Sequence, residues 1–244
     1  MKIDVIVAGG WILRRMAEEV ANRVDGAVIS TLDGDGEAVY FIAYALYHPV
    51  NKPRAVYFTH YSAHRVWEEA VRDSDLQICI CRKTADLVEE QGGTNVHIIR
   101  PGADATFLRH DVVFGVCGAV KSGRKGEHLV QAMVGAGYNI RAWGTGWPCR
   151  IVSDDFADLP SFYRSIDYLV VTSTLEGGPV PVVEAIAMGV PVIAPDVGWC
   201  WEFPTIHYET GSWSSLNGVL KALTRPPTWD EWGKAHREVL GRLG

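Results

Sequence analysis

A chain of 244 residues, 48% of them hydrophobic, has material for one large or two small domains with buried cores. Its formal charge of −6 and pI near 5.7 give no basic footprint for nucleic acid. The opening apolar stretch from Ile3 to Ala8 is too short for a membrane span or a signal peptide and charges follow it, so a cytoplasmic protein without an integral membrane segment is expected. Five cysteines, Cys79, Cys81, Cys117, Cys149 and Cys200, are odd in number and lack paired metal spacing, which points to reduced, mostly buried thiols.

Along the chain, Ile3 to Ala8 reads as a strand, Gly9-Gly10 as a tight turn and Trp11 to Arg23 as a helix. That alternation marks an α/β sheet. Gly9 and Gly10 lack the full dinucleotide fingerprint, so no Rossmann cofactor site is expected there. Strands follow over Ala27 to Thr31, Ala55 to Thr59 and Leu76 to Cys81, with helices over Ala63 to Val71 and Lys83 to Gln91. Residues 1–110 form the first expected domain, with its junction near Leu108 to Val112. The second, residues 111–226, opens with a strand over Val113 to Gly118, the basic loop Lys121 to Gly126, a helix from Glu127 to Ala136 and strands over Ile140 to Trp143 and Arg150 to Ser153. Past Arg225-Pro-Pro227, Trp229 to Leu243 reads as a terminal helix within a last segment, 227–244.

The stretch from Ser173 to Ala194 carries the most chemistry. A continuous apolar run over Asp167 to Ser173 suits a strand covered on both faces. Glu176-Gly-Gly-Pro-Val180 extends neither strand nor helix, and a short helix is expected from Pro181 to Met188, with Gly189 just past its end. Free amides at that helix start, with glycines before it, suit a phosphate. Glu176 and Glu184 flank the same place. Carboxylates beside a phosphate would repel it, so their role is to accept hydrogen bonds from neutral hydroxyls. Phosphate surrounded by hydroxyls describes a sugar nucleotide.

Glu176 and Glu184, with seven residues between them in EGGPVPVVEAIAMGVPVIA, resemble the signature of the retaining GT-B glycosyltransferases of family 4, which include glycogen synthases and bacterial mannosyltransferases. The flanking segments SFYRSIDYLVVTS and APDVGWCWEF are similar too, as is Val96 to Phe107, which resembles the exit from the first domain. The resemblance implies two Rossmann-like doubly wound parallel-sheet domains facing a cleft, and at this length a compact version with a reduced N-terminal domain. The terminal helix would cross back to the first domain.

The implied activity is transfer of a hexose from a UDP- or GDP-sugar to an acceptor hydroxyl with retention of configuration. The acceptor is unassigned: a glycan, a lipid, a small molecule or, less favoured, DNA. Glu184 would hold the ribose hydroxyls, Glu176 the donor sugar, and Lys125 with the backbone of Gly177, Gly178, Pro179 and Val180 the diphosphate. No metal or further cofactor is then required. Relatives carry an arginine and a lysine in the basic loop; Lys125 matches the lysine, but Ala119 stands at the arginine's place, so Lys121 or Arg124 must substitute or the donor is held less tightly. That loop is otherwise a solvated basic turn.

Gly9 and Gly10 take a donor-phosphate or acceptor role in this picture, or are a plain turn. His60 resembles a cleft histidine that binds acceptor or reacting sugar, or else lies on the surface with His64; a metal on the two would need a third ligand. Trp199, Trp201 and Trp213 either stack on sugar or base or fill the core, and Asp154 and Asp155 either meet the base or are turn residues. Three other functions share the scaffold: a noncatalytic nucleotide-sugar-binding module, a nucleotide-sugar epimerase or phosphorylase, and a viral DNA-base glycosyltransferase.

Overall fold

Short apolar strands alternate with helices along the whole chain because each parallel strand pair needs a crossover on one face of its sheet. The computed structural model describes residues 1–32, 34–107, 111–121 and 123–244. These residues form two compact units, one of residues 1–107 and 227–244, the other of residues 108–226. The expected junction falls largely on Leu108 to His110, outside the described residues.

The first unit holds β1 (Ile3–Ile6), α1 (Trp11–Ala21), β2 (Ala27–Ser30), β3 (Ala38–Phe41), β4 (Arg54–Phe58), α2 (Arg65–Asp73), β5 (Leu76–Cys79), α3 (Arg82–Glu90) and β6 (Val96–Ile98). The strands make one sheet in the order β2-β1-β3-β4-β5-β6, parallel throughout. The second unit holds β7 (Val113–Cys117), α4 (Glu127–Gly135), β8 (Asn139–Trp143), β9 (Arg150–Ser153), α5 (Leu159–Arg164), β10 (Tyr168–Val170), α6 (Val180–Ala187), β11 (Val192–Pro195), β12 (Thr205–Tyr208) and α7 (Trp213–Thr224). Its sheet runs β12-β11-β10-β7-β8-β9, again parallel. Two Rossmann-like doubly wound sheets are thus present, as the alternation implied.

Two crossovers of the first unit are made without an α-helix among the described residues. Residues 31–37, between β2 and β3, form no helix among the described residues, and β3 leads to β4 through a single 3₁₀ turn over Tyr44–Leu46. Such a short crossover needs an anchor. Buried Asp4 on β1 supplies it, accepting the amides of Gly34 and Gly36 at 2.9 Å each, with the Lys52 ammonium 3.7 Å away. Strands β3, β6 and β12 and helices α5 and α7 were not read from the sequence, and β10 is shorter than the expected Asp167 to Ser173. Beyond Val170 the side chains of Thr172 and Ser173 turn to polar partners in neighbouring loops.

Each sheet is covered on both faces. In the first unit, Met16, Ala17 and Val20 of α1 share a core with Trp229, Trp232, Val239 and Leu240 of α8 (Trp229–Leu240), while Trp67, Ala70 and Val71 of α2 and Ala85 and Val88 of α3 fill the opposite face. Helix α8 starts at a capping box between Thr228 and Glu231. A single 3₁₀ turn, Gly241–Leu243, ends what was expected as one helix.

His236 on α8 is fully buried, its ring nitrogens bonded to the Tyr40 hydroxyl and the Trp232 carbonyl at 2.9 Å each. Burial pushes its pKa down to about 4, so the folded unit holds it neutral. The unfolded chain, with an ordinary histidine near 6.5, binds the extra proton first as pH falls. The stability is therefore complete above pH 6.5 and is lost as pH drops toward 4. His236→Gln should shed about 2.5 kcal/mol of acid sensitivity between about pH 7 and about pH 4.5, read by denaturant unfolding at both pH values. Equal acid sensitivity in variant and wild type would contradict this.

Candidate functional site

Open parallel sheets bind ligands where their strand order reverses, outside the carboxyl ends of the strands. In the second sheet that place lies between β7 and β10. The loops leaving these two strands are tied together there. Thr172 Oγ1 donates to the Lys125 carbonyl at 2.6 Å, and the Thr174 amide to the Arg124 carbonyl at 3.0 Å. Gly126, in the left-handed region at φ 67°, makes the approach possible because a Cβ there would lie 1.9 Å from the Thr172 carbonyl oxygen.

This junction delivers Lys125 and Arg124 to Glu176. The Lys125 ammonium lies 2.5 Å from Glu176 Oε1, and Ser173 Oγ donates to the same oxygen at 2.8 Å. Arg124 Nη1 reaches Oε2 at 3.1 Å and the Leu175 carbonyl at 3.2 Å. Only 9% of the Glu176 side chain is exposed. Burial raises its pKa, but the Lys125 and Ser173 hydrogen bonds and the Lys125 and Arg124 charges outweigh burial and hold the carboxyl below its ordinary value. The cluster of two cations and one carboxylate keeps a net positive charge. Lys121 is exposed earlier in the loop, and Ala119 is exposed as well.

Trp199 braces the glycine loop from behind. A Cβ on Gly178 would sit 2.6 Å from its ring, so the indole packs directly on the backbone. Trp213 packs against the core, and Trp201 is largely exposed. Asp155 accepts from the Ala157 amide at 3.0 Å and caps the turn over Phe156–Asp158, which makes it a turn residue. Helix α6 begins one residue earlier than expected and carries Pro181 in its first turn. Pro179 and Pro181 have no N–H, and the Val182 amide turns back to the Pro179 carbonyl at 3.0 Å. The expected row of free amides is therefore corrected: Gly177, Gly178 and Val180 have amides to offer an anion here, and Pro179 has none.

Glu184 is held by a different partner. Its Oε2 accepts from the Tyr163 hydroxyl at 2.7 Å, and it borders a hollow of about 260 Å³ whose other walls include Phe156, Leu159, Pro160, Ala187 and Met188. The two glutamates thus have separate partners, one ionic and one phenolic. Sequence reading missed Tyr163, Ser173 and Phe156; the phenol of Tyr163 lies within the flanking segment SFYRSIDYLVVTS but carries no pattern that ties it to Glu184.

The remaining candidate residues belong to the first unit. Gly9 and Gly10 both take positive φ, 62° and 50°, and line a hollow of about 460 Å³ with Trp11, Arg14 and Thr31. The His60 ring nitrogens are both engaged, Nε2 with the Tyr44 hydroxyl and Nδ1 with the Thr59 hydroxyl, at 2.9 Å each. Among the described residues no cluster of three or more histidines, cysteines or carboxylates is placed to hold a metal, and no helix is long and apolar enough to cross a membrane.

Residues 107–216 match the family model described as "Glycosyl transferases group 1", a segment that contains Lys125, Glu176 and Glu184. No curated protein matches the chain. Among solved structures it is similar to Alr3699/HepE of Anabaena in complex with UDP-glucose, at 14% identity over 100% of this chain and 95% of that one, with a TM-score of 0.43. It is also similar to the lipopolysaccharide outer core galactosyltransferase WaaB in its apo form, at 12% identity over 99% of both chains and a TM-score of 0.40. A third similarity is to sucrose-phosphate synthase from Thermosynechococcus elongatus, at 14% identity over 100% of this chain and 94% of that one and a TM-score of 0.42.

Proposed function

We propose that this chain is a GT-B glycosyltransferase that moves a hexose from a nucleotide diphosphate sugar to an acceptor hydroxyl, with retention of configuration and without a metal. The observation that carries this reading is the meeting of Lys125, Arg124 and Glu176 at the reversal point of the second sheet, inside the segment matched by the group 1 glycosyl transferase model. Breaking a sugar–diphosphate bond leaves negative charge on the departing phosphate, and preorganised cations lower that barrier. Lys125 and Arg124 supply the charge, joined by the amides of Gly177, Gly178 and Val180. Lys121 adds to the same positive field.

Glu184 accepts hydrogen bonds from the ribose hydroxyls, and the apolar hollow beside it takes the base. UDP and GDP both suit this arrangement. Glu176 faces the donor sugar. With its carboxylate already bound by Lys125, Arg124 and Ser173, it is a poor nucleophile, which favours attack by the acceptor from the face the leaving group vacates. His60 is assigned to the acceptor or the reacting sugar, and Gly9 and Gly10 to the acceptor or the donor phosphate. Transfer in the presence of a chelator and an anomeric NMR assignment of the product test the metal and retention claims; an inverted product overturns the mechanism.

A second reading has one specific observation in its favour. Ala119 stands where relatives carry an arginine, which leaves one cation fewer for a diphosphate and fits a module that binds nucleotide sugars without turning them over. Binding without transfer to any acceptor, and without hydrolysis, would select it.

Thermal unfolding with a panel of nucleotide diphosphates and their sugars tests the donor site directly. A ligand at about 100 times its dissociation constant adds roughly 2.7 kcal/mol, equivalent to a melting shift of about 5 to 10 °C for a chain of this size. Glu184→Ala should abolish that shift. If the variant is stabilised as much as the wild type, the ribose assignment fails.

A further inference from the structure

Tyr163 is 2% exposed, yet its hydroxyl emerges at the one glutamate that the donor reading assigns to ribose. The ring lies in the core between α5, α6 and the sheet, next to Phe162 at a centroid distance of 5.3 Å. From there the oxygen reaches Glu184 Oε2 at 2.7 Å, with the Pro181 carbonyl at 3.5 Å and Cys117 Sγ at 3.8 Å. A phenol has one proton to give, and the carboxylate is both its nearest and its most basic acceptor. Burial, with Cys117 and Glu184 beside it, pushes the Tyr163 pKa upward, so the proton stays on the phenol.

A glutamate on a helix surface has three side-chain torsions to order before it can bind a diol. A buried aromatic ring has two, both fixed by packing. The bond from Tyr163 therefore transfers the rigidity of the core to a half-buried carboxylate. It occupies Oε2 and leaves Oε1 for a ligand. We infer that Tyr163 is a positioning residue that orients the Glu184 carboxylate toward a vicinal diol, and so gives this site its preference for ribonucleotides over 2′-deoxyribonucleotides. This rests on the donor reading above.

The test is calorimetric binding of UDP, GDP and their 2′-deoxy counterparts to the whole chain as wild type, Tyr163→Phe, Glu184→Ala and the double variant. Wild type should prefer the ribonucleotide, and Glu184→Ala should lose that preference. Tyr163→Phe should lower the ribo-to-deoxy affinity ratio by about 10-fold, with deoxynucleotide binding within about twofold of wild type. In the Glu184→Ala background the same change should have no further effect, because it acts through that carboxylate.

A role in packing alone predicts something else: equal weakening of both nucleotides, in either background. That result, or an unchanged ratio in Tyr163→Phe while Glu184→Ala behaves as expected, overturns this inference and leaves the donor reading standing. A wild type with no ribose preference overturns both. Should Tyr163→Phe fail to fold, Glu184→Gln keeps the phenol in place and gives the second readout. Tyr163 then donates to the amide oxygen and turns the NH₂ toward the ligand, so the ribose preference should fall; an unchanged preference overturns the inference.

Discussion

Lys125→Ala should slow sugar transfer by about 100- to 1000-fold, the usual cost of removing one preorganised donor from developing negative charge. Among the described residues the ammonium is the nearest cation to Glu176, and the backbone that carries it is held by Thr172. Arg124 remains on the other carboxylate oxygen, which is why some activity should survive. The fold should survive as well. Glu176 keeps Arg124 and Ser173, so the loss of stability should be about 1 to 2 kcal/mol. A second effect separates this cluster from a plain basic turn: without Lys125 the Glu176 carboxyl should titrate closer to its ordinary value, because the ammonium is a leading cause of its depression. Lys121→Ala provides the comparison, since an exposed lysine in the same loop should cost less than about tenfold. Transfer rates of the two variants within about threefold of each other would remove Lys125 from its assigned role.

Much of the fold was legible because parallel strands buried on both faces write continuous apolar runs, as in Val113 to Cys117 and Ala55 to Phe58. Strand β3 escaped for a local reason: Ala38 to Phe41 is just as apolar, but it follows Asp33-Gly-Asp-Gly-Glu37, which reads as loop, and no helix among the described residues announces its crossover. Asp4, a buried charge inside a strand, is what allows that crossover to be short, and nothing in its neighbours along the chain says so. At the site, Glu176 and Glu184 could be seen together because they share one loop and helix. Their partners could not, since Lys125 comes from a loop 51 positions earlier and Tyr163 from a preceding helix. Pro179 and Pro181 were visible throughout. Their missing N–H groups leave fewer donors at that helix end, so an anion bound there would depend on the side chains of Lys125 and Arg124.

Gly126→Ala should be among the most damaging small substitutions in the second unit, at about 4 kcal/mol or more. Two costs combine. The residue sits at φ 67°, ψ 35°, where any Cβ costs about 1 to 2 kcal/mol. That Cβ would also lie 1.9 Å from the Thr172 carbonyl oxygen and 2.7 Å from its carbon, and backbone on both sides cannot rotate away as a flexible side chain could. Gly123→Ala isolates the first cost. It lies in the same loop at φ 74°, but nothing stands within 4 Å of its Cβ position, so about 1 to 2 kcal/mol is expected. The gap between the two variants therefore measures how closely the loops after β7 and β10 approach. Thermal melts should place Gly126→Ala about 10 °C or more below Gly123→Ala, taking the range of shifts for a unit of this length. The same comparison reaches function. The Gly126 approach sets the position of the Lys125 carbonyl on Thr172 and of the Arg124 carbonyl on the Thr174 amide, so any Gly126→Ala protein that does fold should transfer sugar poorly, while Gly123→Ala should remain close to wild type. Equal melting temperatures would mean that the two loops do not meet as described, and the cationic cluster on Glu176 would lose its structural basis.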